Sequence, residues 1–194
     1  MLSEPLAVVA RLVAVLDQLN VRYVVGGSLA SSVYGIPRAT QDVDVVADLK
    51  RHHAGAFAEL LGGDFYVDVD MITDAIDRRA SFNVIHLATM FKADVFVPTG
   101  DSWSVEELRR AREEIFEVSE KSVTIRFASP EDTLLHKLLW YEMGGQVSDR
   151  QWADVLGILK VQKQDLDRPY LRYWADLLGV DALLALAIEE SAQR

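Results

Sequence analysis

Tyr23 to Asp48 reads YVVGGSLASSVYGIPRATQDVDVVAD, and the fold turns on how this stretch is read. A short β-rich run, Arg22 to Gly26, breaks at Gly26-Gly27. Ser28 to Tyr34 has the composition of a short helix, ended by Gly35 and Pro37. Asp42 to Ala47 then returns to a strand, and it sets two carboxylates in the apolar run VDVVA. In a strand, Asp42 and Asp44 point to one face, about 6–7 Å apart at about 3.3 Å per residue, while Val43 and Val45 point the other way into the core. Two carboxylates on one face repel each other unless cations neutralise them, although an edge strand with a solvated face would carry the same pattern.

Hard oxygen donors suit Mg²⁺ or Mn²⁺, which one or two carboxylates plus substrate phosphates can hold. The spacing accommodates a metal pair about 3.5–4 Å apart, the arrangement that clamps the attacking and leaving oxygens in phosphoryl or nucleotidyl transfer. Gly26-Gly27-Ser28 complements it. Glycine lets backbone approach a phosphate closely, a helix N-terminus presents unpaired N–H groups, and Ser28 adds a hydroxyl. Alone this is a tight turn with a capping serine; followed by D-x-D on the next strand, it reads as the seat of a triphosphate. Asp94, in KADVFV, is a third acid among apolar residues. It would complete a metal cluster, act as general base on an acceptor hydroxyl, or pair with Lys92 on its own strand face. Arg38 and Thr40, just before the acidic strand, reach Asp42 or a phosphate, or simply end the loop. Arg150 and Asp154, four apart on a helix, read first as an intrahelical ion pair.

Outward from this centre, residues 5–19 carry Leu6, Val9, Val13 and Leu16 at helical spacing. A helix is expected at 52–61, strands at 65–72, 82–88 and 90–97, a helix at 103–112, and a hairpin from 115–118 and 123–127. Ser129-Pro130-Glu131-Asp132 has the cap, proline and acids of a helix start. Gly144-Gly145 ends that helix, Ser148-x-x-Gln151 starts the next, and two more follow at 168–178 and 181–192. Trp103, Trp140, Trp152 and Trp174 fit helical core spacing better than a base-stacking platform. The chain thus divides into an α/β part, 1–128, and a helical part, 129–194, with no flexible linker, and the two are expected to pack together.

Half of the 194 residues are hydrophobic and 26% are charged, with a formal net charge of -10. That balance disfavours a long basic groove for duplex nucleic acid; a local basic spot at Arg109, Arg110 and Arg112 remains. Absence of cysteine excludes disulfides and thiolate metal sites, and the cytoplasm is the expected location. The first twenty residues do not read as a signal peptide, since Glu4 precedes the apolar run and Arg11 and Asp17 interrupt it. No window approaches a membrane span.

The order Gly26-Gly27-Ser28, Asp42-x-Asp44, Asp94 resembles the nucleotidyltransferase superfamily of the DNA polymerase β type. Ser129 to Asp132 through Lys137, then Asp149-Arg150 through Asp154-Val155, is similar to the helical segment of the abortive-infection-type toxin nucleotidyltransferases and their uncharacterised relatives. The resemblance implies an α+β fold: a mixed β-sheet nucleotidyltransferase core with flanking helices and a C-terminal helical bundle segment. It implies that Gly26, Gly27 and Ser28 contact NTP phosphates, that Asp42, Asp44 and Asp94 bind Mg²⁺ (or Mn²⁺), and that Lys137 reaches the triphosphate, with Arg150 as a further nucleotide contact. Without the resemblance, Lys137 would read as a snorkelling surface lysine. The implied reaction moves an NMP from an NTP to an acceptor and releases pyrophosphate. The acceptor stays open: a tRNA or RNA end, a protein, or a small molecule as in antibiotic adenylylation. The first two would suit a toxin restrained by an antitoxin partner. The alternative is an inactive nucleotidyltransferase fold kept as a binding or scaffold module.

Overall fold

The computed structural model describes residues 3–118 and 120–193. The chain forms two compact units: residues up to Gly26 with Ala39–Phe127, and Gly27–Arg38 with the residues from Ala128 onward. The boundary falls inside the glycine–serine turn and again just after Arg38.

In chain order the elements are α1 (Ser3–Gln18), β1 (Tyr23–Val25), α2 (Gly27–Tyr34), β2 (Asp42–Ala47), α3 (Ala54–Leu61), β3 (Phe65–Tyr66), α4 (Val69–Arg78), β4 (Ser81–His86), β5 (Phe91–Phe96), α5 (Ser102–Arg109), β6 (Arg112–Val118), β7 (Lys121–Phe127), α6 (Pro130–Met143), α7 (Asp149–Gln162), α8 (Arg168–Leu177) and α9 (Asp181–Gln193). All the strands lie in the first unit and form one seven-stranded sheet in the order β3-β4-β5-β2-β1-β7-β6. β2 is parallel to β5, β1 is parallel to β7, and the other neighbours are antiparallel. A parallel pair needs a long crossover, and the chain between β2 and β5 supplies it with α3, α4 and the β3–β4 pair.

The alternation of β2 is realised in its burial. Val43, Val45 and Ala47 are buried together with Phe82 and Val84 of β4 and Ala93 and Val95 of β5. α1 packs against β2, β5, β6 and β7, and its stripe of Leu6, Val9, Leu12, Val13 and Leu16 is buried. Each such side chain stabilises the unit by about 1.5–3 kcal/mol through apolar area removed from water.

One expected strand is corrected. A strand is expected at 65–72, where Val67 to Asp70 alternate apolar and acidic, yet only Phe65–Tyr66 is strand and α4 begins at Val69. Asp68 is the reason: its carboxylate accepts the Met71 N–H at 2.9 Å and caps the helix. Ile72 and Ala75, three apart, then face the core. The expected helix at 103–112 ends at Arg109, because Arg112 already pairs with Phe127 in the β6–β7 hairpin.

The second unit contains α2 and α6–α9. The expected helix start at Ser129 is present: its hydroxyl accepts the Asp132 N–H at 3.1 Å and donates to Asp132 Oδ2 at 2.6 Å. Glu131 and Asp132 are wholly buried. They are satisfied from α8 and its cap, since the Asp167 N–H donates to Glu131 and the Tyr170 hydroxyl donates to Asp132. Of the tryptophans only Trp174 is fully buried; Trp152 is half-buried and donates to Glu190 at 2.9 Å. Among the described residues no helix is long and apolar enough to cross a membrane.

α2 and α7 approach each other backbone to backbone where both are glycine. A Cβ on Gly35 would lie 2.9 Å from the Ile158 nitrogen and 2.9 Å from the Ser31 carbonyl oxygen, and one on Gly157 would lie 3.2 Å from the Ile36 nitrogen. Rigid backbone on both sides cannot yield as a side chain would. Gly35→Ala is therefore expected to lower stability by ~1–3 kcal/mol, measured by chemical denaturation; an unchanged midpoint would show that the helices are free to separate.

Candidate active site

In the first unit the acids lie on adjacent parallel strands. The β2–β5 register pairs Asp42 with Lys92 and Asp44 with Asp94. Residues paired in this way point to the same side of the sheet, with strands about 4.8 Å apart. Asp42, Asp44, Lys92 and Asp94 thus occupy four corners of one patch, opposite the face that carries the buried valines. Lys92 Nζ lies 2.7 Å from Asp94 Oδ2, so the same-face pair is formed. That hydrogen bond chiefly, against a smaller opposing effect of burial, raises the Lys92 ammonium above its ordinary range, and the charges of Asp94, Asp42 and Asp44 add to it. Thr40 Oγ1 donates to Asp42 Oδ1 at 2.9 Å and to the Asp42 carbonyl at 3.0 Å. The Gly26 N–H donates to the Asp44 carbonyl at 2.8 Å, which fixes the end of β1 against β2. Among the described residues, no three His, Asp or Glu side chains are gathered so as to hold a metal ion.

In the second unit Gly27 opens α2 with a φ of 59°, a conformation that favours glycine. The half-buried Ser28 hydroxyl receives Arg38 Nη2 at 2.6 Å and Lys137 Nζ at 3.4 Å. Both cations are held by Asp154. Arg38 forks across the carboxylate, Nε to Oδ1 at 2.8 Å and Nη2 to Oδ2 at 2.9 Å, and Lys137 Nζ reaches Oδ2 at 2.9 Å. The side chains of Lys137 and Asp154 are 3% and 4% exposed. Lys137 is therefore no surface lysine. The result is a basic cluster of two cations and one anion around a serine at the N-terminus of a helix, which suits an anion such as a phosphate.

One sequence reading is corrected here, and a long-range partner is added. Arg150 does not form the intrahelical pair with Asp154, because Arg38 and Lys137 take both carboxylate oxygens; Arg150 is exposed. Arg38 forks onto Asp154, 116 residues away. No local signal marks a partner at that separation. Its nearest clue is the Gly35–Gly157 contact, which brings the end of α2 against α7.

Burial alone would push the Asp154 carboxyl up; the hydrogen bond from Arg38 and the charge of Lys137 outweigh it and hold the group below the usual carboxylate range. Folding thus favours the ionised form. Its stabilisation is present above the unfolded value of about 3.9 and is lost as pH falls through the lower folded value.

No protein-family model matches the sequence, and no curated protein matches it. Solved structures do. An antigenic nucleotidyltransferase-like protein from Paracoccidioides brasiliensis superposes with a TM-score of 0.53 at 19% identity, covering 94% of this chain and 91% of that one. ANT(2")-Ia in complex with adenylyl-2"-tobramycin gives a TM-score of 0.55 at 15% identity, covering 90% of this chain and 97% of that one. The chain therefore has a nucleotidyltransferase fold.

Asp154→Ala leaves two cations of the second unit without their counter-charge and is expected to cost ~3–5 kcal/mol at neutral pH. The difference in unfolding free energy between wild type and Asp154→Asn should shrink as pH is lowered below about 4. A difference independent of pH would mean that the Asp154 charge is not what holds the cluster.

Proposed function

We propose that this chain is a divalent-metal-dependent nucleotidyltransferase that moves an NMP from an NTP to an acceptor. The observation that supports it most is the in-register placement of Asp94 beside Asp44, with Asp42 on the same sheet face. Three carboxylates on one sheet face, backed by an apolar layer, offer the hard oxygen donors that Mg²⁺ or Mn²⁺ takes. Asp42, Asp44 and Asp94 would hold that cation. When bound it neutralises charge on the phosphates and on the departing pyrophosphate.

The remaining roles belong to the chain itself. The N–H groups at Gly27 and Ser28 donate to phosphate oxygens, and Arg38 and Lys137 offset the charge that builds on the leaving group. Asp154 acts as a positioning residue by keeping both cations directed at Ser28. An acceptor oxygen attacks the α-phosphorus, the bond to the β-phosphate oxygen breaks, and pyrophosphate leaves; the acceptor's proton passes to a carboxylate, for which Asp94 is the candidate. Rate enhancement rests on positioning and charge neutralisation, not on a covalent intermediate.

The acceptor follows from charge as far as charge reaches. A net charge of -10 favours a small molecule or a protein over a tRNA or RNA end. The ANT(2")-Ia complex holds an adenylylated antibiotic, an acceptor of the small-molecule class. A toxin restrained by an antitoxin would use the same chemistry on a tRNA end or a protein. One observation favours the rival reading, a fold kept as a binding module: the acids are not gathered around a common ion position among the described residues.

The deciding experiment incubates the protein with labelled NTPs, Mg²⁺ and a cell extract. A labelled acceptor should appear, and Asp42→Asn with Asp44→Asn should reduce labelling by at least ~10²-fold with the melting temperature unchanged or raised. Full labelling by the double variant would remove these acids from the chemistry.

A further inference from the structure

The acidic face of β2 and β5 contains its own cation. Asp42, Asp44 and Asp94 contribute three negative charges and Lys92 one positive charge to a single patch. The next strand adds none: across β4, Asp94 faces Asn83 and Lys92 faces Ile85. The Lys92 ammonium sits 2.7 Å from Asp94 Oδ2, and Lys92 is the register partner of Asp42. Its side chain is 41% exposed, against 21% for Asp94. A lysine head on a flexible four-carbon stem can leave such a position for water without disturbing the strand. Asp42, for its part, is held by the Thr40 hydroxyl.

We infer that Lys92 is the resident counter-ion of this face, which pairs with Asp94 and must be displaced from it when a divalent cation binds. This rests on the cation reading of Asp42, Asp44 and Asp94 given above. Ion binding then exchanges one cation for another, and Lys92 sets its strength. A surface ion pair of ordinary kind would have no such effect, because its partner would belong to no cation site.

The test is Mn²⁺ binding without nucleotide or acceptor, read by the electron paramagnetic resonance signal of free Mn²⁺. Removing one positive charge at this range should tighten binding of a divalent ion on the order of tenfold. Lys92→Met and Lys92→Gln are both expected to show that gain, while Lys92→Arg, which keeps the charge, stays near wild type. Lys92→Met and Lys92→Gln proteins that bind Mn²⁺ no more tightly than wild type overturn the inference. Mn²⁺ binding that survives Asp42→Asn with Asp44→Asn overturns it together with the cation reading. A protein that transfers no nucleotide yet gains Mn²⁺ affinity as Lys92→Met supports it, and only the enzymatic reading is lost.

Discussion

One carboxylate organises the second unit. Arg38 and Lys137 both aim at the Ser28 hydroxyl, and two cations at that range would repel each other. Asp154 stands between them and accepts from both. A buried ion cluster of this type contributes little net stability, since the desolvation of its charges offsets their attraction. What it fixes is direction. The Arg38 fork and the Lys137 head are pre-set around the first turn of α2, at a helix N-terminus whose dipole adds to their field. The close approach of α2 and α7 at Gly35 and Gly157 brings Arg38 and Asp154 within reach, so a packing constraint and an electrostatic one act on the same side chains.

The first unit shows a second version of the same physics. Carboxylates on an otherwise apolar strand need positive charge, and Lys92 supplies part of it. The two clusters are opposite in sign. The helical unit concentrates positive charge around a serine, and the sheet concentrates negative charge on one face.

How much of this the sequence could reveal depended on the range of each interaction. β2 was legible because its alternation is local, and so was the start of α6 at Ser129, where cap, proline and acids adjoin. The run Val67-Asp68-Val69-Asp70 shows the limit of the same rule. Its alternation matches that of Asp42 to Val45, yet Asp68 caps α4 and the helix prevails. The shared face of Lys92 and Asp94 follows from strand parity, but their register against Asp42 and Asp44 does not, because no turn sets the pairing of parallel strands joined by a long crossover. The Arg38–Asp154 fork lies beyond any local pattern, and the i,i+4 rule pointed instead to Arg150, while Arg38 and Lys137 take the carboxylate.

The most direct measurement is the melting temperature of the wild-type protein with each NTP, with and without Mg²⁺. Ligands that bind the native state must raise it by mass action. The proposed nucleotidyltransferase is expected to give a rise with NTP and Mg²⁺ together that exceeds the sum of the rises with each alone. No rise under any of these conditions would contradict a nucleotide-binding function for this fold.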